Sequence, residues 1–316
     1  MRNHFLRAGR VANLPSGGGG SSIVDTDLYV HYDFSSTDCW NRTNGTNTDD
    51  YTIHNLANDY NDALIRSRTG TSDAYRDASD SPCIDFNSSD GGGCLETIPS
   101  NNSSDSDDCA IRIPGSYSQT TIPSAPSYNQ TAVSATDTNN LMNGVGTGAY
   151  TLESWVKVYL DHSQDASASV FTCTSRPSSG SNNIYNWILA YAPGYDFDTN
   201  RANKFNVLFG GFSPTEVVSI SGAPSSGAAW SDWNHIVYSR NSTSTNDTKV
   251  YVNNSLVATN TDNNDVDYMF EFNLVYLTVA NRVPERHGIF RFYRGKALTS
   301  SEVTTNWNAQ KSRFGH

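Results

Sequence analysis

The clearest alternation of apolar and polar positions lies in residues 233–259, WNHIVYSRNSTSTNDTKVYVNNSLVAT. Two runs rich in β-branched and aromatic residues, Ile236–Ser239 and Lys249–Val252, are joined by a polar loop. Asn253 and Asn254 then supply a two-residue turn, because Asn tolerates the positive φ that tight hairpins require. Leu256 and Val257 restart the strand. Three consecutive antiparallel strands are predicted, with one face buried and the other more polar.

The same period recurs along the chain. Residues 28–34 (LYVHYDF) form the first predicted strand, with Leu28, Val30, Tyr32 and Phe34 on one face. Short strands are predicted at 84–86 and 110–113. Residues 150–160 (YTLESWVKVYL) are the second strong strand: Leu152, Val156 and Val158 face one way, Glu153, Trp155 and Lys157 the other. That arrangement suggests a Glu153–Lys157 pair. Residues 169–173 and 187–191 pair as a hairpin, and 205–209, 216–220, 269–279 and 288–293 follow as strands. Residues 114–140, rich in Ser, Thr, Pro and Ala, form an extended excursion. One helix is predicted: Thr299-Ser300-Ser301-Glu302 is a capping box, and Val303 and Trp307 share a face. A dozen or so strands and a terminal helix make a single all-β, two-sheet antiparallel sandwich.

Composition agrees. The polar excess is Ser, Thr, Asn, Asp and Gly, the residues of turns and strand ends, while the 17 Tyr and 13 Phe supply much of the core. The net charge of −11 disfavours nucleic acid and anionic membranes, which need clustered Lys and Arg. No apolar run approaches the roughly 20 residues of a membrane span. Residues 1–22 lack the apolar stretch of a signal peptide. They hold Arg2, His4, Arg7, Arg10 and a Gly17–Gly20 run, and are expected to be an arm, cationic against an acidic body, that docks on a partner. The sandwich then occupies residues 23–316.

The five cysteines have no zinc spacing; Cys83–Cys94 or Cys94–Cys109 could bridge outside a cell, and unbridged thiols are the simpler reading. Asp105, Asp107 and Asp108 are weak Ca²⁺ candidates without the spacing of a helix-loop-helix site, so a solvated loop is the simpler reading there too. No other cofactor is expected. His31, His54, His162, His235 and His287 are isolated and read as surface or strand residues.

Three stretches resemble the laminin G-like, concanavalin A-like jelly rolls: YTLESWVKV at 150–158, the hairpins at 233–259, and IFRFYRGKALTSSEVTTNWNAQKSRFG at 289–315. The resemblance spans residues 23–315. It implies the sandwich fold and assigns Trp155, Trp233 and Trp307 to packing. It does not fix a function, because this fold hosts lectins, glycosidases, adhesion modules and structural proteins. Enzymatic members resembling laminarinases carry a Glu-x-Asp-x-Glu strand, two carboxylates bracketing the scissile bond. Here the six Glu are scattered, no two lying two to four residues apart, so no enzyme is expected.

Sugar binding needs exposed aromatics beside Asp or Asn. Tyr195, Asp196, Phe197 and Asp198 offer this in a Pro-Gly loop, and Trp230 with Asp232 is a second candidate; in both places the aromatics could instead pack at the sandwich edge or under a loop. The arm and the Asn/Ser/Thr-rich loops are similar in character to virion components of tailed bacteriophages, cyanophages among them. The expectation is a non-enzymatic virion protein, capsid-decorating or tail/fibre-associated. It is made in the host cytoplasm, is homo-oligomeric, contacts other virion proteins through residues 1–22, and reaches host-surface glycans. A free lectin is the alternative, and a divergent glycoside hydrolase stands behind it.

Overall fold

The Asn253-Asn254 turn forms as its chemistry requires. In the computed structural model both residues have positive φ, 49° and 65°, and join two strands of an antiparallel meander. The structure describes residues 22–40, 52–57, 62–69, 72–75, 84–97, 109–114, 145–163, 167–175, 184–191, 202–209, 214–262, 269–277 and 284–316. The first strands are β1 (Leu28–Asp33), β2 (Thr52–Ile53), β3 (Ala63–Thr69), β4 (Ser72–Tyr75), β5 (Ile84–Asn87), β6 (Cys94–Thr97) and β7 (Cys109–Pro114). Then come β8 (Tyr150–Asp161), β9 (Ser167–Ser175), β10 (Ile184–Tyr191), β11 (Lys204–Phe209), β12 (Pro214–Ser219) and β13 (Ala228–Trp230). The chain closes with β14 (Asn234–Arg240), β15 (Thr248–Val252), β16 (Ser255–Asn260), β17 (Met269–Leu277), β18 (Glu285–Arg294) and the helix α1 (Ser300–Gln310).

Among the described residues the strands form two nine-stranded sheets, a β-sandwich as the alternation predicts. Sheet A runs β16-β15-β14-β8-β18-β6-β5, with β1 also on β18 and β13 also on β8. Sheet B runs β12-β11-β10-β9-β17-β7-β3-β2, with β4 on β3. All pairings are antiparallel, including the predicted β9–β10 hairpin. Between the sheets, Tyr32, Val158, Phe290 and Ile236 of sheet A share one buried cluster with Ile188, Phe205 and Val207 of sheet B.

The outer face of sheet A is half covered. α1 starts at the predicted box: the Glu302 N–H donates to Thr299 Oγ1, and the Thr299 N–H donates to Glu302 Oε2 at 2.9 Å. Val303 then packs with Val237, Tyr251, Tyr293 and Leu298. Trp307 lies against a second cluster of Trp155, Trp233, Ile289 and Phe314, so the three tryptophans are packing residues as the resemblance implies. Trp155 stacks on Phe314 at 4.2 Å and on Trp307 at 5.2 Å. Gly288 makes room for this, since a Cβ there would lie 2.5 Å from the Phe314 ring.

One expectation about faces is corrected. Leu28 does not follow Val30, Tyr32 and Phe34 into the core. A register shift between Leu28 and Val30 turns it outward, where it packs with Val24 on the helix-side cluster. Cys94 carries a buried thiol with no disulfide, so neither bridge suggested for it forms.

Candidate functional site

β8 presents Glu153, Trp155, Lys157 and Tyr159 in sequence on the outer face of sheet A. Their surroundings change along the strand. Glu153 and Trp155 are fully buried beneath α1 and the C-terminal tail, whereas Lys157 and Tyr159 are partly exposed.

Under the helix, Glu153 is a saturated acceptor. Its Oε1 accepts from His235 Nε2 at 2.7 Å and from Arg291 Nη1 at 3.0 Å. Its Oε2 accepts from Asn306 Nδ2 of α1 at 2.8 Å and from the Tyr293 hydroxyl at 3.4 Å. Burial pushes this carboxyl up, but the Arg291 charge and the hydrogen bonds from His235 and Asn306 outweigh it and hold the group down at about 2. Nearby, burial and then Arg291 push the His31 imidazole down to about 3. The expected Glu153–Lys157 pair is therefore absent. Glu153 pairs across strands with Arg291, and Lys157 pairs with Asp90. His31, His235 and His287 are strand residues but buried, because the helix and the opposite sheet cover them.

Past the edge of the helix lies a ledge that side chains of five elements build. Arg286 of β18 sits between Lys157 of β8 and Glu96 of β6 in the ladder. Asp90, in the turn between β5 and β6, gathers three donors. Its Oδ1 accepts from Trp233 Nε1 at 2.8 Å, and its Oδ2 accepts from Lys157 Nζ at 3.0 Å and Arg286 Nη1 at 2.5 Å. Glu96 accepts from Arg286 Nη2 at 3.1 Å and from Asn87 Nδ2 at 2.5 Å. Burial pushes the Asp90 carboxyl up, but the bonds from Trp233, Lys157 and Arg286 hold it below the usual range. The Arg286 guanidinium lies 4.0 Å over the Trp230 ring of β13, and Tyr159 meets that ring edge-on at 5.6 Å. Two cations and two carboxylates leave the ledge near neutral. It offers half-buried aromatic surface beside fixed donors and acceptors, which suits polyhydroxylated ligands.

Of the predicted site residues, only Trp230 belongs to this ledge. Asp232 is exposed in a different neighbourhood: its N–H donates to the Ser221 carbonyl, and its carboxylate lies against Gly222. Tyr195, Asp196, Phe197 and Asp198 lie outside the described residues, as do Arg2, Arg7 and Arg10 and the Ca²⁺ candidates Asp105, Asp107 and Asp108. Among the described residues no group of three or more His, Cys, Asp or Glu could hold a metal ion, and no helix is long and apolar enough to cross a membrane. Asp90, Glu96, Lys157, Tyr159 and Arg286 were invisible as a site in the sequence. They lie up to 196 positions apart and carry no spacing signal; the Asn-Ser-Ser-Asp-Gly-Gly-Gly run around Asp90 marked only a turn.

No family model matches the chain, and no curated protein matches it. Solved structures do. Trypanosoma rangeli sialidase matches in its complex with sialic acid at a TM-score of 0.50 and 12% identity, over 95% of this chain and 37% of the sialidase. Its complex with the inhibitor DANA matches at 0.51 and 12%, over 94% and 36%. The binding domain of botulinum neurotoxin serotype G matches at 0.44 and 13%, over 90% of this chain and 51% of that one. The chain thus spans little more than a third of the sialidase. At these identities the sialidase likeness shows the β-sandwich fold and nothing finer.

Proposed function

We propose that this chain is a non-enzymatic glycan-binding sandwich carried on a virion, where it decorates the capsid or belongs to the tail or fibre apparatus. Residues 1–22 are its docking arm, and homo-oligomers display it. The observation that carries the binding reading is the Trp230 ledge: a partly exposed indole clamped between Arg286 and Tyr159, beside the donors and acceptors of Lys157, Asp90 and Glu96. The sandwich fold is compatible with it, and the matched sialidase was solved with sialic acid bound. The non-enzymatic part is supported by the state of Glu153, buried and saturated with donors, which is unfit to protonate a leaving group.

The test is a glycan array on the purified chain, with and without Ca²⁺, repeated on Trp230→Ala and Arg286→Ala. Binding that both substitutions weaken at least tenfold is expected. Binding untouched by either, or glycan hydrolysis abolished by a single Glu→Gln change, would overturn the reading. For the virion role, a chain lacking residues 1–22 should stay folded and lose incorporation into particles. Unchanged incorporation would sink the arm, and glycan binding with no particle association in any form would leave a free lectin.

A further inference from the structure

A second concavity lies at the opposite edge of sheet A from β5 and β6. There the edge strand of each sheet, β12 of sheet B and β16 of sheet A, come together around a cleft of about 410 Å³. Val218, Val252 and Val257 supply its apolar surface; Ser219, Ser221, Asn253 and Ser255 supply its polar groups. Among the described residues no charged side chain lines it, in a chain of net charge −11. The volume falls within the range of small-molecule sites, roughly 300–1,000 Å³.

Its polar wall is held in place before any ligand arrives. The Asn253 Oδ1 accepts from the His235 N–H at 2.8 Å, and its Nδ2 donates to Ser221 Oγ at 2.9 Å. Asn234 Oδ1 accepts from the Ser221 N–H at 3.0 Å. Ser219 and Ser255 are exposed at the rim. Hydroxyls that both donate and accept are suited to ligand hydroxyls, whose roles vary from one to the next.

An open strand edge invites an added strand, but both edges here are built against one. In β16, Tyr251 faces Leu256 and Val250 faces Ala258, so Val257 is an extra, bulged residue. In β12, Val207 faces Glu216 and Leu208 faces Pro214, which bulges Thr215 and opens the strand on a residue with no N–H. Bulges and proline interrupt the row of backbone groups that a partner strand would need. The β16 bulge also lets Val257 line the cleft while Leu256, its neighbour, is 53% exposed.

We infer that this cleft binds a neutral saccharide, one or two rings inserted between the sheet edges. The ligand's apolar ring faces lie on Val218, Val252 and Val257, and its hydroxyls on Ser219, Ser221, Asn253 and Ser255. Neutrality follows from the lining, which among the described residues has no cation to offset a sugar acid or sulfate. The inference extends the glycan-binding reading to a site of its own, so the two fail separately.

The experiment measures binding of maltose, lactose and N,N′-diacetylchitobiose, with 3′-sialyllactose as the anionic comparison, by ligand-observed NMR on the full chain. The variants are Val257→Trp, which fills the cleft from a residue already 39% exposed, Ser255→Ala, and Trp230→Ala. At least one neutral disaccharide should bind, lose tenfold or more in Val257→Trp and severalfold in Ser255→Ala, and be unaffected by Trp230→Ala. Circular dichroism confirms that each variant is folded. Binding of 3′-sialyllactose alone, no binding of the neutral sugars, or loss through Trp230→Ala and not Val257→Trp would overturn the cleft; the last outcome keeps the ledge. A concentration-dependent doubling of mass that Val257→Trp abolishes would make a second copy the occupant and also overturn it.

Discussion

Glu153 ties α1 to sheet A, accepting from Asn306 of the helix and from His235 and Arg291 of the sheet. Glu153→Gln removes the carboxylate that pairs with the fully buried Arg291, whose Nε and Nη2 have no hydrogen-bond partner among the described residues. Breaking a buried pair from one side costs about 3–5 kcal/mol, because the remaining charge stays desolvated. The pH dependence follows from the same carboxylate. Its folded-state value of about 2 lies below the ordinary 4.5, so the stabilisation is fully present above 4.5 and is lost as pH falls through 2. The difference amounts to roughly 3 kcal/mol at 1.36 kcal/mol per unit. Urea unfolding followed by tryptophan fluorescence reads both effects, since Trp155 and Trp307 lie at the helix–sheet junction. The wild-type chain should lose about 3 kcal/mol between pH 5 and pH 2, while Glu153→Gln starts 3–5 kcal/mol lower and is flatter over that interval. The double change Glu153→Leu with Arg291→Met should recover most of the loss, as buried ion pairs replaced by apolar residues commonly do. A cost under about 1 kcal/mol for Glu153→Gln, or a wild-type acid slope unchanged by it, would refute the assignment.

Other expectations follow from the same geometry. Glu285 is buried, and burial raises its carboxyl despite the His287 imidazole 3.4 Å away. The folded chain therefore keeps that proton above the ordinary range, and stability falls as pH rises from 4.5 towards the raised value. Glu285→Gln should be stabilising at pH 7 and near neutral at pH 4 in paired urea titrations. Trp155→Ala should cost about 3–5 kcal/mol through the cavity it leaves, seen as a lower denaturation midpoint with near-UV circular dichroism reduced. Thr299→Ala should cost about 1 kcal/mol by removing one side of the capping box, measured as a small fall in Tm.

The sandwich and its helix were legible because alternation and capping are local. Residues 150–160 announce β8 to within a residue, and Thr299 with Glu302 announces the start of α1. What escaped was set by partners elsewhere in the chain. β13 is three residues long and exists because it pairs with the end of β8, and nothing local marks it. The Glu153–Lys157 pair failed on distance: four residues of strand span about 13 Å, so same-face partners must come from neighbouring strands. Arg291 lies beside Glu153 and Arg286 beside Lys157, both on β18. His31 and His235 escaped because the helix that covers their face comes about 70 to 270 residues later in the chain.

That helix also decides where recognition is possible on this face. β8 and β18 turn mainly polar and aromatic side chains outward, with Ile289 the aliphatic exception. At one end α1 and Phe314 close over Glu153, Trp155 and Arg291: the Glu153 carboxylate is taken up by Arg291 and Asn306, and the Trp155 Nε1–H donates to Gln310 Oε1. At the other end nothing among the described residues covers Lys157, Tyr159, Arg286 and Trp230 to that degree, and they remain partly exposed. The two ends share strands and residue types. One is a structural joint and the other a candidate binding surface because an 11-residue helix reaches only so far. Trp233 marks the boundary, its ring packed in the covered cluster while its Nε1–H donates to Asp90 on the open side. Ligand contact at the ledge should therefore be reported by Trp233 without disturbing the joint.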